Sequence, residues 1–416
     1  MTVDAPPAAG LPGTARPGGL GRRQVHAVAA CYFVASFAAL GLPPYLTAIL
    51  PGLGDPDGSW AGLLYIVPTV FSALGAPLWG RLADRFGRKR LLLRAQLGLT
   101  VSFLLAGAAD SLTAFTLALV LQGFLGGTFA ATTGYLAAAL DGARLSRALT
   151  LMQGSARASL VAAPILVGAL SPWIDPHRQY LLMAVLPLTA AGFLALLPEP
   201  GRPPALAAPG ASRTDEACRE TEDGGAPRRA PLRVLYAFEF AFVFATVISF
   251  PYLISLAEQR LPGVSGTTTG VLFALPHLCY LAFAARTHTV FLRRPHTGLA
   301  LGFVLVALGL AGHAVAGTLA AFAAVRLLLG AGLTLGLVCL AVLAAEAARG
   351  RAPGRMFGTL EFVSKGGAVA AGAVAALANG RFGAASPVLA GAAAALLAAL
   401  AATAFTSPVR QRWSHP

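Results

Sequence analysis

Five ionisable residues stand inside long apolar runs of the sequence: Arg157, Glu239, Arg326, Glu361 and Lys365. At the centre of a bilayer an unpaired charge costs at least about 2.5–3.5 kcal/mol on insertion scales, so each group there must face water, a partner or a ligand. Two kinds of chemistry follow. Arg157, Arg326 and Lys365 can hold an anionic or chelating solute. Glu239 has no Lys or Arg three or four residues away, so it is the leading candidate to take up and release a proton as its surroundings alternate between water and protein. Glu361 is the second candidate, but it stands one turn before Lys365, where an i,i+4 ion pair can engage it.

Smaller polar groups extend this set. His277 follows Pro276 and reads either as a hydrogen-bonded helix histidine or as a third proton carrier. Tyr32, Gln122 and Gln153 add uncharged polar groups that could line a cavity. The sequence has four Cys but no CxxC pair or His/Cys cluster, so no metal, cofactor or disulfide framework is expected. Neither a Ser/His/Asp or HExxH cluster nor a Walker-type GxxxxGK[ST] loop is visible, which argues against a polytopic enzyme or an ATP-driven pump.

The elements that position these residues must be membrane helices. Of 416 residues, 56% are apolar and only 12% charged, and mean hydropathy is +0.70. A soluble domain carries about 25% charged residues. The runs are apolar all round, so the surrounding solvent is lipid. That excludes a secreted, cytosolic or nucleic-acid-binding globular protein despite the net charge of +14.

About 20 apolar residues cross the hydrocarbon core as a helix. Windows of that size give twelve spans, at 26–49, 60–80, 91–109, 112–140, 147–170, 180–198, 232–255, 266–285, 297–316, 318–345, 355–378 and 385–407. Only Arg178, Arg260 and Arg381 fall in odd-numbered loops; nearly all other Lys and Arg lie in the tails and even-numbered loops. Both termini are therefore expected in the cytoplasm, and the basic excess is topogenic.

Residues 1–22 are Pro/Gly-rich and read as a disordered cytoplasmic tail rather than a signal peptide. The charged, Pro/Gly-rich stretch 199–231 reads as a disordered cytoplasmic linker. It separates a six-span bundle over 23–198 from a second over 232–407, leaving 408–416 as a cytoplasmic tail. The two bundles superpose at an offset of 207–208 residues. Pro44-Tyr45-Leu46 returns as Pro251-Tyr252-Leu253, and Gly62 to Pro68 returns as Gly270 to Pro276. Gln122-Gly123 lies over Leu329-Gly330, while Arg147 and Arg157 lie over Arg355 and Lys365. Duplicated bundles of this kind place a binding site near mid-membrane between them. Arg157 and Lys365 would then face one another across the pseudo-two-fold axis. If Glu361 instead captures Lys365, Arg157 is left to Gln153, the repeat mate of Glu361.

The connection between spans 2 and 3 reads Gly80-Arg81-Leu82-Ala83-Asp84-Arg85-Phe86-Gly87-Arg88-Lys89-Arg90. Gly80 allows close helix approach and Gly87 a tight turn. Asp84 is a lone carboxylate among five cations and can pair locally or sit against a helix N-terminus. With twelve spans and a central polar loop, this segment resembles the signature G-x-x-x-D-R-x-G-R-K/R-K/R of the major facilitator superfamily, filled at every defining position by Gly80, Asp84, Arg85, Gly87, Arg88, Lys89 and Arg90. The resemblance implies an all-α membrane fold of twelve transmembrane helices in two pseudo-symmetric six-helix bundles. It also implies that spans 1, 4, 7 and 10 surround the cavity, and that Asp84 meets the start of span 11 near Arg355 to lock the cytoplasmic side.

Two patterns of the proton-coupled branch are incomplete. Leu119 replaces the Arg of R-x-x-Q-G before Gln122-Gly123, and an Arg appears instead at the repeat-related Arg326. The span 5 antiporter pattern survives only as Ala163-Pro164 to Gly168.

The resemblance implies a secondary transporter, expected as a monomer, with protons, lipid and a small-molecule substrate as its partners; the high Ala, Gly and Arg content suggests a GC-rich bacterial genome, hence the inner membrane. Proton-coupled efflux of a drug- or siderophore-like solute is the leading expectation. A proton-linked importer or facilitator is the alternative, and a receptor on the same fold is the competing class.

Overall fold

A computed structural model describes residues 20–140, 142–197, 232–348 and 353–406. The expected linker 199–231 and tail 408–416 lie outside the described residues, as do residues 1–19 of the expected first tail. Among the described residues every regular element is helical. Lipid supplies no partner for a free N–H or C=O, so apolar runs of this length must satisfy their backbone internally.

The spans are Arg22–Leu53, Ala61–Phe86, Arg88–Ala108, 112–139, Gly142–Leu170 and Gln179–Ala195 in the first half. Those of the second half are Leu232–Arg260, Gly266–Phe291, Pro295–His313, Leu319–Ala348, Pro353–Phe382 and Ser386–Thr406. Eight contain helices long and apolar enough to cross a membrane by length and composition. Spans 2, 4 and 6 hold shorter apolar stretches, and span 5 carries Arg144, Arg147 and Arg157 along its 29 residues. Spans 3, 6, 9 and 12 turn Leu97, Val101, Phe193, Leu308, Leu397 and other large apolar side chains outward. Such a girdle suits acyl chains rather than water.

Prolines and glycines interrupt the helices at defined places. Span 1 tightens to a 3-10 turn at Pro43–Tyr45, and span 7 does the same at Phe250–Tyr252. These are the repeated Pro-Tyr-Leu segments, and the missing proline N–H explains why the α-helix cannot run through. Span 4 departs from the single helix expected over 112–140. It stops at Leu125 and restarts at Thr128, with Gly127 at φ 73° between the pieces. Two adjacent glycines make this break inexpensive, because one must adopt a left-handed conformation.

The halves meet along span 2 against span 11 and span 5 against span 8. Small residues bring the backbones together there. A Cβ on Gly62 would lie 2.7 Å from the Gly372 carbonyl oxygen, and one on Gly270 would lie 2.8 Å from the Ile165 Cα and press on the Pro164 carbonyl. Gly62 and Gly270 are repeat mates, as are Gly372 and Pro164, so the two seams are copies of one contact. Within each half the same symmetry recurs, with Gly123 packed on Pro68 and Gly330 on Pro276.

Candidate functional site

A cavity of about 500 Å³ lies between the halves. Spans 1, 2, 4 and 5 wall one side and spans 7, 8, 10 and 11 the other; of the outer spans only Leu99 of span 3 reaches it. Two tyrosines close the end that carries the first loop. Tyr45 Oη donates to the Pro164 carbonyl at 2.6 Å and lies 3.5 Å from that of Gly266 in the other half. Its repeat mate Tyr252 donates to the Ser59 carbonyl at 3.0 Å and accepts from the Gly62 N–H at 3.0 Å. Tyr252 thus hydrogen-bonds across to the start of span 2, while Tyr45 bonds late in span 5 of its own half and reaches the start of span 8 at 3.5 Å.

The expected polar residues sort into two clusters and a remainder. Arg326 is fully buried. Its Nε donates to the Leu272 carbonyl and its Nη2 to the Phe273 carbonyl, both at 2.7 Å. The chemistry is local: Pro276 has no N–H to offer Leu272 one turn earlier, and the guanidinium fork of span 10 takes the place of that donor. His277, 1% exposed, sets its ring edge against Phe250. Its Nδ1 lies 3.5 Å from Arg157 Nη1, and Arg157 also lies over the Tyr280 ring at 5.5 Å. All three of these residues line the cavity.

The second cluster is on spans 7 and 11. Lys365 Nζ lies 3.7 Å from Glu361 Oε1, with the two side chains 32% and 49% exposed. Lys365 is thus engaged by Glu361, while Arg157 turns to His277 and Tyr280. Glu239 is not on the cavity wall, but it lies close enough to Ser364, which is, to interact with it electrostatically. Gln122 lines the cavity at 8% exposure, and its Oε1 finds no partner among the described residues. Tyr32 is packed in the core of the first half and hydrogen-bonds Ser36, and Gln153 is exposed away from the wall.

In the span 2–3 connection, span 2 ends at Phe86, Gly87 adopts φ 98°, and span 3 starts at Arg88. A one-residue turn of that hand explains the glycine. Arg88 Nη1 donates to the Gly134 carbonyl at 3.0 Å, and Lys89 Nζ to the Ala195 carbonyl at 2.9 Å and to that of Leu197. Those last two carbonyls end span 6, where a cation is favoured. Arg85 lies over the Phe86 ring, and Arg90 is exposed. The side chains of Gly80, Asp84 and Arg355 lie outside the described residues, and with them the expected meeting of Asp84 and span 11.

Sequence reasoning missed one built feature. The carbonyls freed where span 4 breaks are capped by neighbours: Trp79 Nε1 donates to Phe124 O at 2.7 Å and Arg94 Nη1 to Leu125 O at 2.6 Å. The Arg94 guanidinium stacks 3.5 Å above the Trp79 ring. Gly126 and Gly127 open onto the cavity just beyond. The Gly126-Gly127 pair was the available signal.

Comparison with known proteins agrees with this architecture. The sequence model described as Major Facilitator Superfamily matches residues 28–295. The multidrug resistance protein MdtG of Serratia proteamaculans (strain 568) is 35% identical over 169 residues, 39% of each chain. That of Dickeya zeae (strain Ech586) is 29% identical over 160 residues, 38% of this chain and 39% of its own. The chain thus aligns with only about two-fifths of the length of these relatives. A D-xylose–proton symporter structure matches with a TM-score of 0.73 at 12% identity, over 91% of this chain and 96% of the other. The human organic anion transporter MFSD10 matches at 0.64 and 21% identity, over 92% and 99%. With the motif, the duplicated halves and the lipid-facing girdle, the family match establishes that the chain belongs to the major facilitator superfamily and is a multi-pass membrane protein.

Proposed function

We propose that the chain exports a small organic solute, drug-like or siderophore-like, in exchange for protons. One observation carries the reading: a cavity between repeat-related halves, held at the first-loop end by Tyr252 and Tyr45 and lined by Arg157, Arg326, Glu361 and Lys365. A solute entering from the linker end would meet these groups. Rocking of the halves about the glycine seams would then release it on the other side. The loop motif, with Asp84 as its carboxylate and Gly80, Arg85, Gly87, Arg88, Lys89 and Arg90 around it, would lock the linker end in that second state.

Proton coupling is assigned to the Glu239, Ser364, Glu361 and Lys365 cluster. Glu239 interacts electrostatically with Ser364 and Glu361, both of which line the cavity, and a proton exchanged within this cluster would reach the cavity through them. His277 is the third candidate. The charge asymmetry of the loops supports cytoplasmic termini, and the multidrug resistance names of the bacterial relatives support export across an inner membrane. The cavity is complete within one chain, which favours a monomer.

Everted membrane vesicles with an acid interior test this. The expected result is accumulation of a fluorescent drug probe such as carboxyfluorescein, abolished by a protonophore. Accumulation indifferent to the protonophore, or none above vesicles lacking the protein, would reject coupled export. Uptake by right-side-out vesicles down an inward proton gradient would reassign the direction to import.

A further inference from the structure

We propose that Arg157, His277 and Arg326 form a subsite made of hydrogen-bond donors that binds the anionic head of an amphiphilic organic anion. The proposal rests on the transport reading and names the substrate class.

The three side chains come from spans 5, 8 and 10 and line one cavity. Arg157 Nη1 and His277 Nδ1 approach to 3.5 Å. An arginine can only donate, so Nδ1 is the acceptor and the ring proton sits on Nε2. That N–H is buried and has no partner among the described residues. Arg326 spends Nε and Nη2 on the Leu272 and Phe273 carbonyls, which leaves Nη1 buried and unpartnered among the described residues. Two guanidiniums thus flank one histidine and act on it electrostatically. Among the described residues no carboxylate pairs with either; the acidic group nearest in kind, Glu361, pairs with Lys365 instead.

A desolvated cation with a spare donor and no counter-charge is costly; Arg326 is fully buried and Arg157 partly buried beside the cavity. An anion entering the cavity offsets that cost, and a neutral or cationic solute does not. Gln122 contributes an amide that can turn either end inward. The rest of the wall is largely apolar, with Tyr65, Phe250, Phe273, Leu329 and Leu333. The volume of about 500 Å³ falls in the range of about 300–1,000 Å³ common for small-molecule sites. The chemistry is therefore one charged head, a carboxylate, sulfonate or phosphonate, on an aromatic or aliphatic body. Arg157 belongs to the first half and His277 and Arg326 to the second, so a bound head would touch both bodies that move.

Equilibrium binding to the full chain in lipid nanodiscs tests this without any need for flux. The probes are 2-naphthoate and its neutral analogue 2-naphthalenemethanol, which share one body. The expected result is at least tenfold tighter binding of naphthoate, a gap of about 1.4 kcal/mol. R157Q should erase the preference and leave alcohol binding unchanged. H277Q, which keeps an N–H donor, should retain more of the preference than H277L. Because R326Q also strips the Leu272 and Phe273 carbonyls and can unfold the chain, R157Q and the two His277 variants decide the matter. Equal binding of the two probes, or a naphthoate preference that survives R157Q, overturns the proposal. Chloride displacing naphthoate at far lower concentration than naphthoate displaces chloride would assign the site to an inorganic anion and overturn it too. A chain that binds naphthoate selectively yet moves nothing in vesicles would defeat the transport reading and leave the subsite standing. Proton-driven flux with no head-group preference would do the reverse.

Discussion

Arg326 Nε donates to the Leu272 carbonyl at 2.7 Å, and that carbonyl is the one Pro276 leaves without its helical N–H. A proline in span 8 and a charge in span 10 are therefore one unit. Buried hydrogen bonds from a charged donor contribute about 1.5–3 kcal/mol, and an orphaned buried acceptor costs about 1–3 kcal/mol. R326Q should lower the thermal midpoint of the detergent-solubilised protein substantially. P276A restores a backbone donor for Leu272, so the double variant should recover part of that loss. If R326Q is as stable with proline as with alanine at 276, the two residues are not coupled.

The tyrosine contacts at the first-loop end set a second expectation. Y252F removes both a donor to Ser59 and an acceptor for the Gly62 N–H, whereas Y45F removes a donor shared between Pro164 and Gly266. At about 0.5–1.5 kcal/mol per net hydrogen bond, losing two bonds in Y252F should open that end more often, by a factor of roughly five to a hundred or more. Spin-label distances across the first-loop end should lengthen in a larger fraction of molecules for Y252F than for Y45F. Unchanged distributions in both would mean that the glycine seams alone hold the end shut.

Glu239 and Glu361 should separate in function. E239Q is expected to abolish pH-driven transport while leaving substrate exchange between equilibrated compartments. E361Q breaks an ion pair at 3.7 Å between partly exposed side chains, a contact worth no more than about 1 kcal/mol, so stability should barely move. Intact pH-driven flux in E239Q would clear that residue of the proton duty and pass it to Glu361 or His277.

The loop motif supplies the fourth expectation. D84N should slow turnover several-fold with insertion and folding unchanged, because a gate carboxylate acts on the exchange between states. K89A should instead lower stability, since Lys89 Nζ caps the carbonyls of Ala195 and Leu197 at the end of span 6. Full transport rate in D84N would remove the gating role.

What could be read from the sequence follows from how strictly lipid constrains a chain. Span positions emerge because every crossing needs about 20 apolar residues, and the repeat emerges because Pro44-Tyr45-Leu46 and Pro251-Tyr252-Leu253 must make the same turn twice. The partners of the buried charges were harder to see. Arg326 meets backbone carbonyls, which have no sequence signature, and Glu239 meets a serine on a distant span. Lys365 and Glu361 were readable as an alternative because helical spacing fixes that pair in advance. The span 4 break was hidden by the abundance of glycine in membrane helices, where a Gly-Gly pair seldom stands out.

That break also separates the two copies of the repeat. Span 10 runs unbroken from Leu319 to Ala348 and keeps an arginine at its core, while span 4 has Leu119 at the equivalent place and is cut at Gly126-Gly127. Its upper piece is clamped to Pro68 through Gly123, and its lower piece is tethered to Arg88 through Gly134. Span 4 is thus an articulated strut with a joint beside the cargo chamber, where span 10 is a stiff beam. In the proposed rocking of the bundles, the first can flex at its glycine joint where the second must travel whole, so the proposal predicts a lopsided alternation even though the parts began as twins.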